Sequence, residues 1–331
     1  VRIVIAGASG FMGRDLVALF RAAGDEVATI GRAAADARWA DAAGILSVVD
    51  GADVVLNLAG TSVNCRYGAA NRAEILRSRV ETTRALGDAI DAARRPPALW
   101  LNASTATIYR HAEDHAQTES TGELGTGFSV GIARAWEETF FERDLLRTRR
   151  VALRTAIVLG DGGALIPLLN LARIGFGGAQ VDGPWFRSRR RIAAGTFHEF
   201  GARGGRQRFS WVHLDDVYGI VRFLIDHDEI DGVVNVSSPN PVDSRTVMRS
   251  IRSALGMPFG LPLHRWLLEP GAWAIRTETE LVLKSRWVVP ERLLAAGYVF
   301  SFPGIDVAVA NIMARRRSGY PQFRAHGSMN G

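Results

Sequence analysis

The chain has 331 residues and a mass of 36.0 kDa, with 47% hydrophobic and 22% charged residues. A compact chain of this size hides roughly three quarters of its unfolded surface, which excludes disordered, collagen-like and small disulfide-stapled classes. Forty Lys and Arg residues against 34 Asp and Glu give a formal charge of +6, and the lone Cys65 can form neither an internal disulfide nor a cysteine-rich zinc site. That cysteine usage points to a reducing compartment, here the cytoplasm.

In chain order, Arg2–Ala6 reads as a buried strand that leads into a glycine motif, not a signal-peptide cleavage site. Phe11–Ala23 reads as a helix and Glu26–Ile30 as a second strand. Asp53–Ala59 is a near-continuous apolar run, which suits a strand covered on both faces. Asn71–Ala93 is a long helix stopped by Arg94-Arg95-Pro96-Pro97. A strand at Ala98–Ala103, a helix at Val130–Leu146 and a strand at Arg150–Arg154 follow. This alternation predicts an α/β fold, a Rossmann-like doubly wound parallel sheet with a smaller C-terminal substrate cap.

The second half is less regular. It reads as a turn cluster at Gly160–Gly163, a helix at Ala164–Ile174 and a Gly- and Arg-rich stretch over 175–208. A strand at Phe209–His213, a helix at Leu214–Asp226, a strand at Val233–Val236 and a helix at Val242–Leu255 come next. The expected core is 1–155 plus about 209–236. The expected cap region is about 156–208 and 237–312, with 257–300 as a small cap and a basic insertion over 180–206. A basic, frayed tail is expected over 313–331. No uncharged run approaches the roughly 18 residues that a membrane span needs.

Gly7-Ala8-Ser9-Gly10-Phe11-Met12-Gly13 has GxxGxxG spacing between a strand and a helix. Glycines permit a tight turn and a close backbone approach, so the helix N-terminus can aim unpaired N–H groups at a pyrophosphate. Gly7, Ser9, Gly10, Phe11, Met12 and Gly13 are therefore candidate cofactor residues. The end of the second strand decides which cofactor. NAD(H) sites place a carboxylate there, whereas this chain has Gly31-Arg32, and the planar fork of Arg32 suits the 2′-phosphate of NADP(H). The alternative for Arg32 is a solvated loop residue.

With these residues go Asn57-Leu58-Ala59-Gly60, Arg72–Leu86, Arg134-Ala135-Trp136-Glu137, Arg154–Gly163, Ser210–Asp216, Pro239-Asn240-Pro241-Val242 and Arg286–Gly297. Together they resemble the extended short-chain dehydrogenase/reductase superfamily over nearly the whole chain. More narrowly, they are similar to its NAD(P)-dependent epimerase/dehydratase-like group, the "epimerase family proteins", for which the last block is the most diagnostic. The resemblance implies that Asn57, Leu58, Ala59 and Gly60 lie where the cofactor crosses the sheet; a strand-ending turn is the alternative.

Superfamily chemistry uses a Ser or Thr hydroxyl, a tyrosine and a lysine. Ser104-Thr105-Ala106-Thr107-Ile108-Tyr109 resembles the hydroxyl-bearing strand end, so Thr105, with Ser104 beside it, falls on the substrate-orienting position. The positions of the Tyr-x-x-x-Lys pair hold Ser129 and Ala133, and neither can replace it. Where the subgroup carries a Glu and a Cys, the chain has Gly131 and Ala133. Tyr109 is the nearby phenol, although its superfamily counterpart is structural. His111 is either a proton carrier or a surface loop residue. His213 reads as a packed strand residue, Asp215 as a helix N-cap and Asp216 as a first-turn partner of the helix dipole.

The basic insertion holds six arginines, including Arg187, Arg189, Arg190, Arg191, Arg203 and Arg206, against Asp182 and Glu199. Family members make a short link there, so the topology hangs roughly 25 extra residues over the substrate cleft. They read either as a solvated, mobile loop or as arginine forks for a phosphate-bearing ligand, a nucleotide or an acidic partner. Nucleic acid is the weaker option, because no recognised binding module accompanies the charge. No His, Cys and carboxylate spacing points to a metal. The implied function is an NADP(H)-binding oxidoreductase or epimerase acting on a small polar carbonyl or nucleotide-sugar-like substrate. The rival is a catalytically silent NADP(H) sensor or interaction protein, since certain plastid and cyanobacterial relatives are linked to division. A homodimer is compatible with either.

Overall fold

The structure, a computed structural model, describes residues 1–202, 204–274 and 276–318. Alternate residues of the first strand, β1 (Arg2–Ala6), face opposite ways, and both faces are apolar: Ile3 and Ile5 on one, Val4 and Ala6 on the other. Such a strand must be covered twice, which is the condition for a parallel sheet between two helical layers. Its companions are β2 (Glu26–Gly31), β3 (Ala37–Arg38), β4 (Val54–Asn57), β5 (Leu99–Thr105), β6 (Arg149–Thr155) and β7 (Gly232–Val236). They run in the order β7-β6-β5-β4-β1-β2-β3, and the pairings are parallel throughout. The chain is an α/β protein with a Rossmann-like doubly wound sheet. Strand order reverses between β1 and β4, which opens a crevice at their carboxyl ends.

One face of the sheet is covered by α1 (Phe11–Ala22), which contributes Leu16 and Phe20, and by the Leu214–Asp226 helix with Val217, Ile220, Val221 and Leu224. The other face takes α2 (Ala42–Val49), α3 (Ala69–Ala92) and α4 (Phe128–Phe141), through Ile45, Val49, Leu86, Ile90 and Phe140. Burying each such side chain contributes about 1.5–3 kcal/mol. A second core joins the Leu165–Arg173, Ser244–Leu255 and Ile305–Ser318 helices through Leu169, Met248, Ile251, Val309 and Ile312. Among the described residues no helix is long and apolar enough to cross a membrane.

Several elements differ from the sequence expectation, each for a local reason. The helix expected from Val242 begins at Ser244, because Val242–Asp243 pairs antiparallel with Arg208–Phe209 and the Asp243 carboxylate then caps the helix at the Thr246 N–H, 2.8 Å away. The helix expected to Leu146 ends at Phe141, where Arg150 donates to the carbonyls of Phe140 and Arg143. Phe209–His213 is two short strands, Arg208–Phe209 and Trp211–His213, in different sheets. Helix α2 was not expected; Asp41 caps it by accepting the Gly44 N–H at 2.9 Å.

The tail is a further correction. Residues 313–318 continue the Ile305–Ser318 helix, held by a bidentate Arg315–Asp215 pair (3.0 and 2.5 Å) and an Arg316–Asp161 pair (2.9 Å). Residues 319–331 lie outside the described residues. Asp215 is thus an ion-pair partner, and the N-cap is His213, whose Nδ1 accepts the Asp215 N–H at 3.1 Å.

Asp216 is buried and accepts the Ser301 and Phe302 N–H groups at 2.7 and 3.0 Å, tying the Leu214–Asp226 helix to the C-terminal block. Burial lifts its carboxyl to about 6. Between the unfolded value near 4 and this folded value, the native state holds the extra proton, so this group makes the fold lose stability as pH rises through that window. Urea midpoints measured at intervals from about pH 4 to 7 are expected to carry this downward component in the wild type. They should lose it in Asp216→Asn, and identical pH slopes in the two proteins would refute the assignment.

Candidate functional site

The crevice begins at the glycine loop between β1 and α1. Gly7 has φ +83°, a left-handed conformation natural to glycine, and its N–H donates to the Ile30 carbonyl at 3.0 Å. A Cβ at Gly7 would lie 2.8 Å from the Ala59 nitrogen, and one at Gly13 would collide with the Gly7 carbonyl and the Ala8 Cα. The loop is therefore pressed against both the β4 end and its own helix. Gly10, the N-cap of α1, has no side chain to close the first turn, and no acidic residue stands there. The first-turn N–H groups of Phe11, Met12 and Gly13 thus form an open anion cradle, with Ser9 exposed at its rim. The Phe11 ring fills the space over Gly160, Gly162 and Gly163, which explains that glycine cluster.

Arg32 follows β2 and is exposed, and among the described residues it forms no ion pair. The nearest acid on that loop, Asp36, accepts the Thr29 N–H and hydroxyl, both at 2.8 Å, and those bonds hold its carboxyl below the usual range. These residues fit a phosphate-bearing nucleotide.

At the β4 end, the fully buried Asn57 side chain ties the strand end to its neighbours and to the turn that follows. Its amide donates to Asn102 Oδ1 (2.7 Å) and Thr83 Oγ1 (3.3 Å), and its oxygen accepts the Ala59 N–H (3.0 Å). Trp136 Nε1 donates to the same Thr83 hydroxyl at 3.0 Å. Leu58, Ala59 and Gly60 are carried on this turn, with the Arg79 guanidinium against Gly60. Arg79 lies over the Trp136 ring at 4.9 Å, and burial lowers its pKa to about 10. Arg79 and Asn102 were not singled out from sequence, because their partners come from other elements.

The β5 end is organised by a buried ion pair. Arg154 on β6 donates Nε and Nη2 to Glu137 on α4 at 2.9 and 2.7 Å. Ser104 Oγ donates to the same carboxylate at 2.5 Å, so that hydroxyl is committed within the network. Arg154 Nη1 donates to Tyr109 Oη at 3.0 Å, and Tyr109 Oη donates to Asn235 Oδ1 on β7 at 2.9 Å. Tyr109 is buried and its phenol pKa is raised by burial, which makes it a structural residue. Thr105 is half-buried beyond this network. Its Oγ1 accepts the Thr107 N–H at 3.1 Å, leaving its own proton to donate.

Ser129 and Ala133 are one turn apart on α4. Ser129 Oγ donates to Glu280 Oε2 at 2.8 Å, and Ala133 is fully buried. His111 is half-buried on the loop after β5. It stacks on Phe200 at 4.9 Å, its Nδ1 accepts the Ser285 N–H at 2.9 Å, and burial first, then Lys284, lower its pKa to about 4. It is neutral at physiological pH and does not titrate there.

The basic insertion is anchored in part, while much of its surface stays exposed to solvent. Ser188 caps a short helix, Arg189–Ala193, and the Gly195 carbonyl accepts the Phe128 N–H at the start of α4. Arg191 bridges Glu269 and Glu278 (3.3 and 3.2 Å), and Arg187 pairs with Glu199 at 2.7 Å. Arg265, 1% exposed, bonds Asp182, Glu269 and the His198 carbonyl. Of the expected phosphate forks, Arg187 and Arg191 are therefore tied to carboxylates. Arg189, Arg190 and Arg206 remain exposed, and Arg203 lies outside the described residues. Among the described residues no group of three or more His, Cys, Asp or Glu side chains is placed to hold a metal ion.

A family model described as "NAD dependent epimerase/dehydratase family" matches residues 3–133, and one described as "Domain of unknown function (DUF1731)" matches 271–312. The chain is 30% identical over 322 residues to epimerase family protein SDR39U1 of Bos taurus, covering 95% of this chain and all of that one. It is 26% identical over 327 residues to epimerase family protein YfhF of Bacillus subtilis (strain 168), covering 96% and all of it. The crystal structure of human epimerase family protein SDR39U1 (isoform 2) with NADPH superposes at TM-score 0.79 with 27% identity, over 95% of this chain and 99% of that one.

Removing one partner of the Glu137–Arg154 pair leaves the other charge buried and alone. Arg154→Met is expected to cost about 3–5 kcal/mol in urea unfolding. Arg154→Met with Glu137→Leu should recover much of that loss. A single variant within about 1 kcal/mol of the wild type would mean the pair does not hold the strand ends.

Proposed function

The chain belongs to the NAD dependent epimerase/dehydratase family, and on that premise we propose that it binds NADP(H) and acts as an atypical oxidoreductase or epimerase. The observation that carries this is the open first turn of α1 over glycines pressed against the β4 end. In this reading Gly7, Ser9, Gly10, Phe11, Met12 and Gly13 hold the pyrophosphate. Asn57, Leu58, Ala59 and Gly60 line its path across the sheet, and Arg32 holds the 2′-phosphate. The NADPH in the human relative's crystal structure supports the choice of nucleotide.

Bound at this crevice, the nicotinamide would supply or take up a hydride beside the β5 end. Thr105 is the orienting hydroxyl, because its proton is free while that of Ser104 is held by Glu137. Membership of the epimerase family supports a small polar carbonyl or a nucleotide-sugar-like molecule as the substrate class. Ser129 and Ala133 stand at the positions of the usual Tyr and Lys, so α4 supplies neither phenol nor ammonium. That same observation favours a second reading, a silent NADP(H) sensor.

Arg32→Ala is expected to weaken NADPH binding at least tenfold while leaving NADH binding nearly unchanged, as titrated by nucleotide fluorescence. Equal losses for both nucleotides would sink the NADP(H) assignment. Thr105→Ala should leave NADPH affinity intact and abolish turnover of any substrate found for the wild type; undiminished turnover would remove Thr105 from the reaction.

A further inference from the structure

Lys284 is the only lysine in the sequence, and it lies inside the protein. It follows the short Glu280–Leu283 helix in the C-terminal block and is 5% exposed. Its Nζ donates to the Thr107 carbonyl at 2.8 Å, two residues beyond Thr105. An ammonium carries three donors. Among the described residues one of them has an acceptor in reach, and Glu280 attracts the charge without forming an ion pair.

The surroundings come from three elements. Arg286 Nε donates to Thr107 Oγ1 at 3.2 Å from the same C-terminal block. Ser129 reaches in from α4 and holds the Glu280 carboxylate. His111 comes from the segment after β5 and is neutral. The charged and titratable groups facing Lys284 are thus Arg286, Glu280 and His111, with Tyr67 and Asp182 behind them. Burying an ammonium beside a guanidinium is costly, unless a ligand brings the missing acceptor or the neutral amine has a task.

We propose that Lys284 is the proton donor of this site, supplying from the C-terminal block the acid that α4 lacks at Ala133. The proposal rests on the NADP(H) oxidoreductase function given above. In the reductive direction the hydride of NADPH adds to the carbonyl carbon of a small ketone or aldehyde, forming the new C–H bond. The C=O π pair moves onto oxygen, and that oxygen takes one proton from Nζ. The products are the alcohol, NADP⁺ and a neutral Lys284 amine, which recovers its proton from water. Burial, and then Arg286, bring the Lys284 pKa down to about 8, near the value at which a general acid works best in neutral solution.

Because the lysine is unique, protein grown with lysine carrying ¹³C at Cε gives one side-chain signal, which titrates with the amine. The full chain without cofactor is expected to show a midpoint near 8, and saturating NADPH should move that signal. A midpoint at the ordinary lysine value of about 10.4 would overturn the proposal, as would a signal indifferent to bound NADPH. Nucleotide fluorescence in the same samples separates the two claims. If NADPH binds and Lys284 ignores it, the proposal alone fails. If NADPH does not bind, the cofactor assignment fails and takes the proposal with it.

Discussion

A guanidinium and a carboxylate buried at the carboxyl edge of the sheet set the geometry of everything around the crevice. Two ions removed from water lose more in hydration than their attraction returns, unless the remaining donors and lone pairs are also used. Glu137 and Arg154 meet that condition through Ser104 and Tyr109, and Tyr109 passes the connection to Asn235. Asn235 then donates to the Val289 carbonyl of the C-terminal block at 3.0 Å. One network therefore ties α4, β5, β6, β7 and the segment around Val289. Shifting any of these elements would strand a charge, so the end of β5 that carries Thr105 is held rigidly.

The basic insertion and the helix at Arg265–Ala274 use the same physics on a second set of ions. Arg265 and Arg191 are held by Asp182, Glu269 and Glu278, and Glu278 also accepts the Tyr67 N–H at 3.0 Å and pairs with Arg66 at 3.3 Å. The insertion is thereby joined, through Glu278, to the loop before α3. What composition presents as a basic loop is anchored by ion pairs at Arg191 and Asp182, with positive charge left at its exposed arginines.

How much of this was legible in the sequence depends on how local each cause is. The glycine loop and the alternating strands rest on neighbours a few residues apart, so the sheet and its cradle could be read directly. Asp41 was a legible N-cap for α2, but Gly44 and the helix's short length masked it. Arg191 could be counted as a charge but not assigned to Glu278, 87 positions later. Asp215 had every mark of a helix cap until Arg315, 100 residues on, claimed its carboxylate. Ser104 and Thr105 look equivalent in a string of letters, and only Glu137, from a separate helix, tells them apart.

A chain that carries its basic charge almost wholly as arginine also has a distinctive surface chemistry. With its one lysine enclosed by the C-terminal block, the folded protein offers amine-directed crosslinkers, dyes and acyl groups no exposed lysine side chain. A protease specific for lysine would meet a single bond, after residue 284, and could reach it only when the C-terminal block lifts away from the β5 end. Cleavage there would be a natural clock for the local opening of this C-terminal segment.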